Sequence, residues 1–366
     1  MDIEDINQHP VPDQATTPDT GTLPAGEEGA QEVEAAQKNG EGASKEREQA
    51  LTPFQESLRR LLRDRRAMIS LAVIVLFLLI PVFWPPIYQH IGGPYHSETN
   101  GMIGPEVYHN PFHTELTRQD EGPSAQYWLG TDSIGRDLLA RLMQGMLISL
   151  VVALLVETVN IILGLTIGIL AGYFGGWIDQ ALAGLTDVIF AYPGLLFAIL
   201  LTGIFGSYAD TLFSRIPLIG PNGNARLLLV SLALALVSWP LMARFARGQT
   251  LQLRQQQFIE AARTAGTTHP RIILRHLLPN LISIIVVAST LDIANVIVGE
   301  AGLSFLGLGV QQPGSSIGLM ISDAKEQIVT HPWELLLPTL VLTVVVLAFS
   351  FLGDGLRDAF DPRTKD

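Results

Sequence analysis

The sequence predicts an all-α integral membrane protein with six transmembrane helices, and three observations carry that prediction. Only 16% of the 366 residues are charged and 48% are hydrophobic, against about 25% charged in an ordinary soluble domain. The apolar residues gather into six runs, each about long enough to cross a hydrocarbon core of ~30 Å as a helix. The negative charge is not spread along the chain. Of a formal net charge of −12, residues 1–50 carry 12 acids against Lys38, Lys45 and Arg47, a net of −9, which leaves −3 for the rest.

Taken in order, residues 1–52 are rich in Pro, Gly, Gln, Glu and Thr. Such a segment buries too little apolar surface to offset its ordering entropy, so it reads as a disordered acidic cytoplasmic tail. It lacks the basic-then-apolar opening of a cleavable signal. From Pro53 the pattern changes. Phe54, Leu58, Leu61 and Leu62 share one helical face, interleaved with Arg59, Arg60, Arg63, Arg65 and Arg66. That is a basic amphipathic helix lying along anionic membrane lipids. The first span follows at Ala67–Trp84, closed by Pro85 and Pro86, so residues 53–86 form one unit. Residues 87–143 read as an external loop subdomain with an interfacial helix from Arg136 to Gln144. Five further runs, within residues 144–353, complete the core: Met146–Gly172, Ala181–Phe205, Leu227–Phe245, Leu281–Leu308 and Trp333–Leu352. Residues 247–279 connect the fourth and fifth spans, and residues 354–366 form the C-terminus. An even number of spans puts both termini on one side. The 14 Lys and Arg in the segments on that side, against six in the opposite loops, place it in the cytoplasm.

Several functions are excluded by what is missing. Without cysteine there is no disulfide scaffold, Cys-ligated zinc, iron–sulfur cluster or thiol catalysis. None of the four lysines sits in a phosphate-binding loop, and no nucleophile elbow or H-E-x-x-H occurs. The chain therefore offers no catalytic site and no cofactor site, and any ATP chemistry with its magnesium belongs to another polypeptide. No basic footprint points to nucleic acid. His90, His96, His109 and His113 crowd the first outer loop, but Pro111 spoils the i,i+4 helical spacing of the last pair. They read as ordinary loop histidines, and no metal site is assigned.

Charged and polar residues inside the spans are the next candidates. A charge in hydrocarbon costs at least ~2.5–3.5 kcal/mol, so such residues face a cavity or a partner. Glu157 and Asn160 in the second run, Asp187 in the third and Asp292 in the fifth are the candidate pathway-lining residues. Hydrogen bonding between helices is the alternative for Glu157 and Asp292, and a solvated end charge for Asp187. Pro193 is expected to kink the third span. Gly164, Gly168 and Gly172 form a small-residue stripe for close helix packing.

The most informative stretch is Gln257–Asn280, which reads as a short helix ending near Ala265, a break at Gly266, a second helix from Pro270, and Pro279 opening the fifth span. Within it, Glu260-Ala261-Ala262, Gly266 and Leu278-Pro279 resemble the signature loop of ABC-importer permeases, with His276 where the general pattern has Ile. Three further segments resemble the C-type permeases of the dipeptide/oligopeptide/nickel group: Trp128–Arg141, Glu300–Gly309 and Gly353–Arg363, with Ile317 in place of a usual Trp. The resemblance covers about residues 55–363 and leaves the tail outside.

The resemblance implies a type I ABC-importer permease fold (MetI-like) in a bacterial inner membrane. It implies one half of a peptide-translocating pore, completed by a second permease of the B type in a heterodimer. Two ABC ATPase subunits would dock on the coupling loop, and an extracytoplasmic solute-binding protein would deliver the cargo. The ATPase-contacting positions carried over are Glu260, Ala261, Ala262 and Gly266, with Leu278 and Pro279 closing the signature. Arg263, Arg271 and Arg275 are placed to pair acidic groups across that interface. An ion- or proton-coupled secondary transporter using Glu157 and Asp292 is the alternative, and a non-transporting scaffold docked through the tail is a third reading. Neither needs the loop signature.

Overall fold

A short basic helix, α1 (Pro53–Arg63), leads into the first long apolar helix, α2 (Arg65–Gly92), across Asp64 alone. The computed structural model describes residues 53–92, 109–215 and 224–360. The tail at residues 1–52, His96, much of the first outer loop and the end of the Gly353–Arg363 motif lie outside the described residues. Asp64 starts α2 as an N-cap: its Oδ1 accepts from the Arg66 amide at 2.8 Å, and its carbonyl accepts from the Met68 amide at 3.0 Å.

Helix α2 does not close at Pro85 and Pro86, as the sequence reading expected. Pro81, Pro85 and Pro86 all lie inside it. Each proline removes one ladder bond, but the far end is anchored. Tyr88 is fully buried, donates to Asp137 Oδ2 at 3.0 Å, and stacks on His109 with ring centroids 3.8 Å apart. That anchorage outweighs the local breakers.

Helix α3 (Leu138–Phe174) is 37 residues long, roughly 55 Å at 1.5 Å per residue. Asp137 caps it, accepting from the amides of Leu139 at 2.8 Å and Ala140 at 3.1 Å. The separate interfacial helix expected at Arg136–Gln144 is therefore simply the first turns of α3. The expected third span divides into α4 (Gly176–Phe190) and α5 (Gly194–Phe213). Proline disfavours the helical conformation of the residue before it, so Pro193 breaks the chain at Tyr192 rather than kinking it. Asp187 thus falls in α4, outside the long apolar helix.

Helix α6 (Leu227–Leu253) runs past the expected end at Phe245 and takes Arg244 and Arg247 with it. After α7 (Gln257–Thr264) comes a continuous helical stretch. It comprises α8 (His269–Ile272), a widened turn at Ile273–Leu277 and α9 (Leu278–Phe305), with Pro279 in the first turn of α9. Short α10 (Ile317–Ala324) and long α11 (Pro332–Phe360) complete the chain. Among the described residues, six helical stretches are long and apolar enough to cross a membrane: α2, α3, α5, α6, α8 to α9, and α11.

The tightest pairing is α3 against α6, and the glycine stripe creates it. A Cβ on Gly168 would stand 2.4 Å from the Ala243 carbonyl oxygen, and one on Gly164 2.6 Å from Met242 Cβ. Around this pair, Val152, Val156, Val230, Ala233, Ile297, Leu303, Val345 and Phe349 form the main core. Outward-facing Ile69, Phe83, Leu154, Leu200 and Leu340 stand exposed, a surface suited to lipid rather than water.

Candidate functional site

The two-helix loop between α6 and α9 is held from beneath and open above. Ile259, Ile272, Leu277 and Leu281 are fully buried in a second apolar cluster with Leu165, Ile169, Tyr173, Met242 and Ala246. Half-buried Ala262 and Leu278 pack on it. Glu260, Ala261, Arg263, Ala265, Gly266, Arg271, Arg275 and Pro279 are exposed. The loop therefore sits on an apolar support, and no described residue covers its outer surface.

Gly266 sets the turn. Its φ is +72°, a left-handed conformation that glycine adopts without steric cost. The amide of Thr267 donates to the Ala262 carbonyl at 3.1 Å, and that of Gly266 to the Arg263 carbonyl at 2.9 Å. This is the paired C-terminal capping pattern of a helix closed by glycine. Nothing lies within 4 Å of a Cβ built there, so the requirement is conformational and not steric. Beside α7 lies a groove of about 590 Å³ lined by Tyr173, Arg254, Glu260, Arg263 and His269. Arg263 lies over the Tyr173 ring at 5.0 Å, the Tyr173 hydroxyl hydrogen-bonds His269 Nδ1 at 2.8 Å, and Arg254 donates to the Gly172 carbonyl at 3.0 Å. These contacts key the loop to the ends of α3 and α6.

Deep in the bundle, three of the four predicted polar residues come together. Asn160 Nδ2 donates to Asp292 Oδ2 at 2.8 Å, and Ser238 Oγ donates to Asn160 Oδ1 at 2.9 Å, joining α3, α6 and α9. Glu157 neighbours Ser289, Asp292 and Asn160, is only 6% exposed, and its carboxylate oxygens make no hydrogen bond of normal geometry. Asp292 also borders a cavity of about 180 Å³ between α5, α6 and α9, with Gly194, Ser238 and Asn295 on its wall. Asp187 is set apart from this group. Its side chain is 66% exposed and pairs with Arg244 Nη2 at 2.7 Å, the arrangement of a solvated end charge.

Two polar arrangements went unremarked in the sequence. Glu300, 1% exposed, accepts from Ser149 and Ser304 hydroxyls at 2.8 Å each, tying α3 to α9. In the segment 109–137, which forms a cap at the opposite end from the two-helix loop, Asp132 receives Arg136 Nε at 2.7 Å and also Arg141 Nη1. Asp323 from α10 takes the same two guanidinium groups at 3.4 and 3.3 Å. Burial alone would raise the Asp132 carboxyl, but Arg141 and Arg136 outweigh it and hold it below the ordinary carboxylate range. Gly135, with φ +77°, lets the chain cross Glu115, whose carbonyl oxygen would lie 1.9 Å from a Cβ. The Trp128–Arg141 motif thus combines an ion network, completed by Asp323 of α10, with the Asp137 helix cap. Of the loop histidines, His109 Nδ1 pairs with Asp137 Oδ2 at 2.7 Å, and burial lowers the pKa of His113, which favours its neutral form. They do not share a helix turn.

Residues 164–366 match the family described as the binding-protein-dependent transport system inner membrane component, and residues 52–101 match the N-terminal transmembrane domain of oligopeptide transport permease C. The chain is 38% identical over 314 residues to a glutathione transport system permease of Pectobacterium atrosepticum, covering 86% of this chain and 92% of that one. A glutathione transport system permease of Escherichia coli O157:H7 is 37% identical over 318 residues, covering 87% and 93%. A dipeptide transport system permease of Alkalihalophilus pseudofirmus is 34% identical over 316 residues, covering 86% and 92%. Among solved structures, an inward-facing methionine ABC transporter shows a TM-score of 0.46 at 19% identity, covering 61% of this chain and 97% of that one.

Proposed function

The chain belongs to the family of binding-protein-dependent transport inner membrane components, and on that premise we propose that it forms half of a translocation pathway for small peptides. As a multi-pass permease of an ABC importer it supplies the membrane passage. The glutathione and dipeptide permeases among its relatives support a cargo of two or three residues. ATP hydrolysis, with ATP and magnesium, resides in two separate ATPase subunits. A solute-binding protein delivers the peptide, and a B-type permease completes the pore as a heterodimer. Both termini are cytoplasmic.

The observation that carries this reading is the two-helix loop, supported from below by fully buried Ile259, Ile272 and Leu277 while Glu260, Ala261 and Gly266 remain exposed. Small exposed residues on a firmly seated helix permit close approach by another protein. Arg271 and Arg275 would pair with acidic groups of the ATPase, and the contacts of Arg263 and His269 with Tyr173 would pass its movement to α3. At mid-depth, Asp292 beside its cavity lines the pathway, while Asn160 and Glu157 brace it from α3. Asp187 stays at the cytoplasmic end. A secondary transporter driven through Glu157 and Asp292 gains no support from the relatives, which are ABC permeases.

Reconstitution tests the proposal. The chain, its neighbouring permease, the ATPases and the binding protein are assembled in vesicles, and ATP-dependent uptake of labelled dipeptide and glutathione is measured. Gly266→Leu places a side chain in the left-handed region, at a local cost of about 1–2 kcal/mol. It is expected to reduce uptake to background while insertion and abundance are unchanged. Gly248→Ala, at an exposed position with open space for a Cβ, is expected to transport normally. Full uptake by Gly266→Leu removes the coupling role from this loop.

A further inference from the structure

At the cap end, three metal-type ligands from two distant segments meet. Asp120 follows the single turn Leu116–Arg118, whereas His331 and Glu334 occupy the entry to α11. One ligand atom from each of the three lies within 4.8 Å of the others. The atoms Asp120 Oδ1, His331 Nδ1 and Glu334 Oε1 are all shielded from solvent, and none has a hydrogen-bond partner among the described residues. Glu334 is only 2% exposed.

A buried and a half-buried carboxylate side by side repel each other, and leaving an acceptor unsatisfied costs about 1–3 kcal/mol, more when it is charged. The start of α11 favours one negative charge by its dipole, but it gives Glu334 Oε1 no donor and does not account for Asp120. The neighbouring cations give no relief either. Arg136 and Arg141 are already engaged by Asp132 and Asp323, and the charge of Asp132 adds to the negative field on Glu334. His331 is steadied edge-on against Trp333, with ring centroids 5.2 Å apart.

We propose that Asp120, His331 and Glu334 bind a divalent transition-metal cation that staples the cap to the start of α11. One neutral imidazole and two carboxylates balance a dication and match the nitrogen-and-oxygen set of Zn²⁺, with Mn²⁺ or Ni²⁺ as poorer fits; Ca²⁺ and Mg²⁺ favour all-oxygen sites. Zn²⁺ bonds of about 2.0–2.1 Å set tetrahedral ligands about 3.3 Å apart. The observed spacing therefore needs only small side-chain adjustments, which half-buried Asp120 and His331 can make. Three protein ligands leave one position for water or an incoming group. The sequence alone assigned no metal here. The staple is independent of the cargo, since it rests on none of the pathway residues.

The test uses the full chain, purified with a tag other than polyhistidine, stripped of metal and held in lipid nanodiscs. Calorimetric titration with ZnCl₂ and metal analysis after desalting are expected to give one equivalent. His331→Gln and Glu334→Gln are each expected to weaken binding by more than about 100-fold, beyond the loss typical of an outer-shell change. His90→Ala, an exposed histidine at the end of α2, is expected to bind as the parent does. Asp120→Asn, at a half-buried position, guards against misfolding of the Glu334 variant and is expected to abolish the Zn²⁺-dependent rise in unfolding temperature seen in the parent. No stoichiometric Zn²⁺, as when the two carboxyls merely share a proton, overturns the proposal. So does binding as tight as the parent's by both His331→Gln and Glu334→Gln.

Discussion

The two ends of the helical bundle handle charge in opposite ways. In the cap, Asp132, Arg136 and Arg141 are 5%, 3% and 1% exposed and are consumed by one another and by Asp323. In the two-helix loop, Glu260, Arg271 and Arg275 stand in solvent, while the loop is seated on apolar side chains, with Arg263 and His269 keyed to Tyr173. A charge closed within its own network serves the fold. A charge held out on a rigid apolar support is available to another molecule. On the proposed role of the loop, the comparison separates motif residues that build the permease from those offered to the ATPase; the loop lies within the matched family region, residues 164–366, and the cap segment lies outside both matched regions.

The strongest way to break this contrast is to unpair the cap. Arg141→Ala leaves Asp132 and Asp323 buried or half-buried with one guanidinium instead of two. Removing one partner of a buried ion network costs about 3–5 kcal/mol, because the remaining charge stays desolvated. The variant is expected to accumulate poorly and to unfold at a clearly lower temperature in detergent. An unchanged unfolding temperature would make the network a surface feature and erase the difference between the two ends.

The complementary experiment is milder. Arg271→Ala combined with Arg275→Ala removes two exposed guanidinium groups from the loop. Exposed substitutions of this kind change stability by about 0.5 kcal/mol or less, so thermal unfolding is expected to match the parent. Co-purification with the ATPase subunits is expected to fall, and the parent's association is expected to weaken more steeply with salt than the variant's, because exposed pairs are screened. A destabilised double variant with normal ATPase association would invert the assignment.

The sequence made the number of long apolar helices legible, because insertion into lipid demands continuous apolar length. Gly266 was legible for a related reason, since a glycine after a short helix signals the left-handed residue that ends it. Helix ends were read less well. Pro85 and Pro86 looked like terminators, yet buried Tyr88 carries α2 through them, whereas Pro193, expected only to kink, breaks α4 from α5. A proline's local cost is fixed, but the tertiary contacts that offset it are invisible in one dimension. The polar candidates divide in the same way. Glu157, Asn160, Asp292 and Asp187 all interrupt apolar runs, and only Asp187 read also as a solvated end charge; the first three meet and Asp187 stands apart. Asp120 and the pair His331 and Glu334 lie far apart in the chain, so no spacing rule could have joined them.

The smallest effect concerns the joint between α4 and α6, where Asp179 meets Arg247 at 2.5 and 2.8 Å. The hydrogen bond from Arg247 holds the Asp179 carboxyl below its ordinary value of 3.8. A lowered folded-state pKa means that the stabilisation is fully present above the unfolded value. It is lost as pH falls below 3.8 and through the lower folded value. Between pH 5 and 8, Asp179→Asn is therefore expected to lie below the parent by a constant margin, at most about 1 kcal/mol for a pair this close to solvent. Below about pH 3.8 the two unfolding curves should converge. If the margin instead varies across neutral pH, another group titrates at this joint, and the loop end of the bundle holds a charge network of its own comparable to that of the cap.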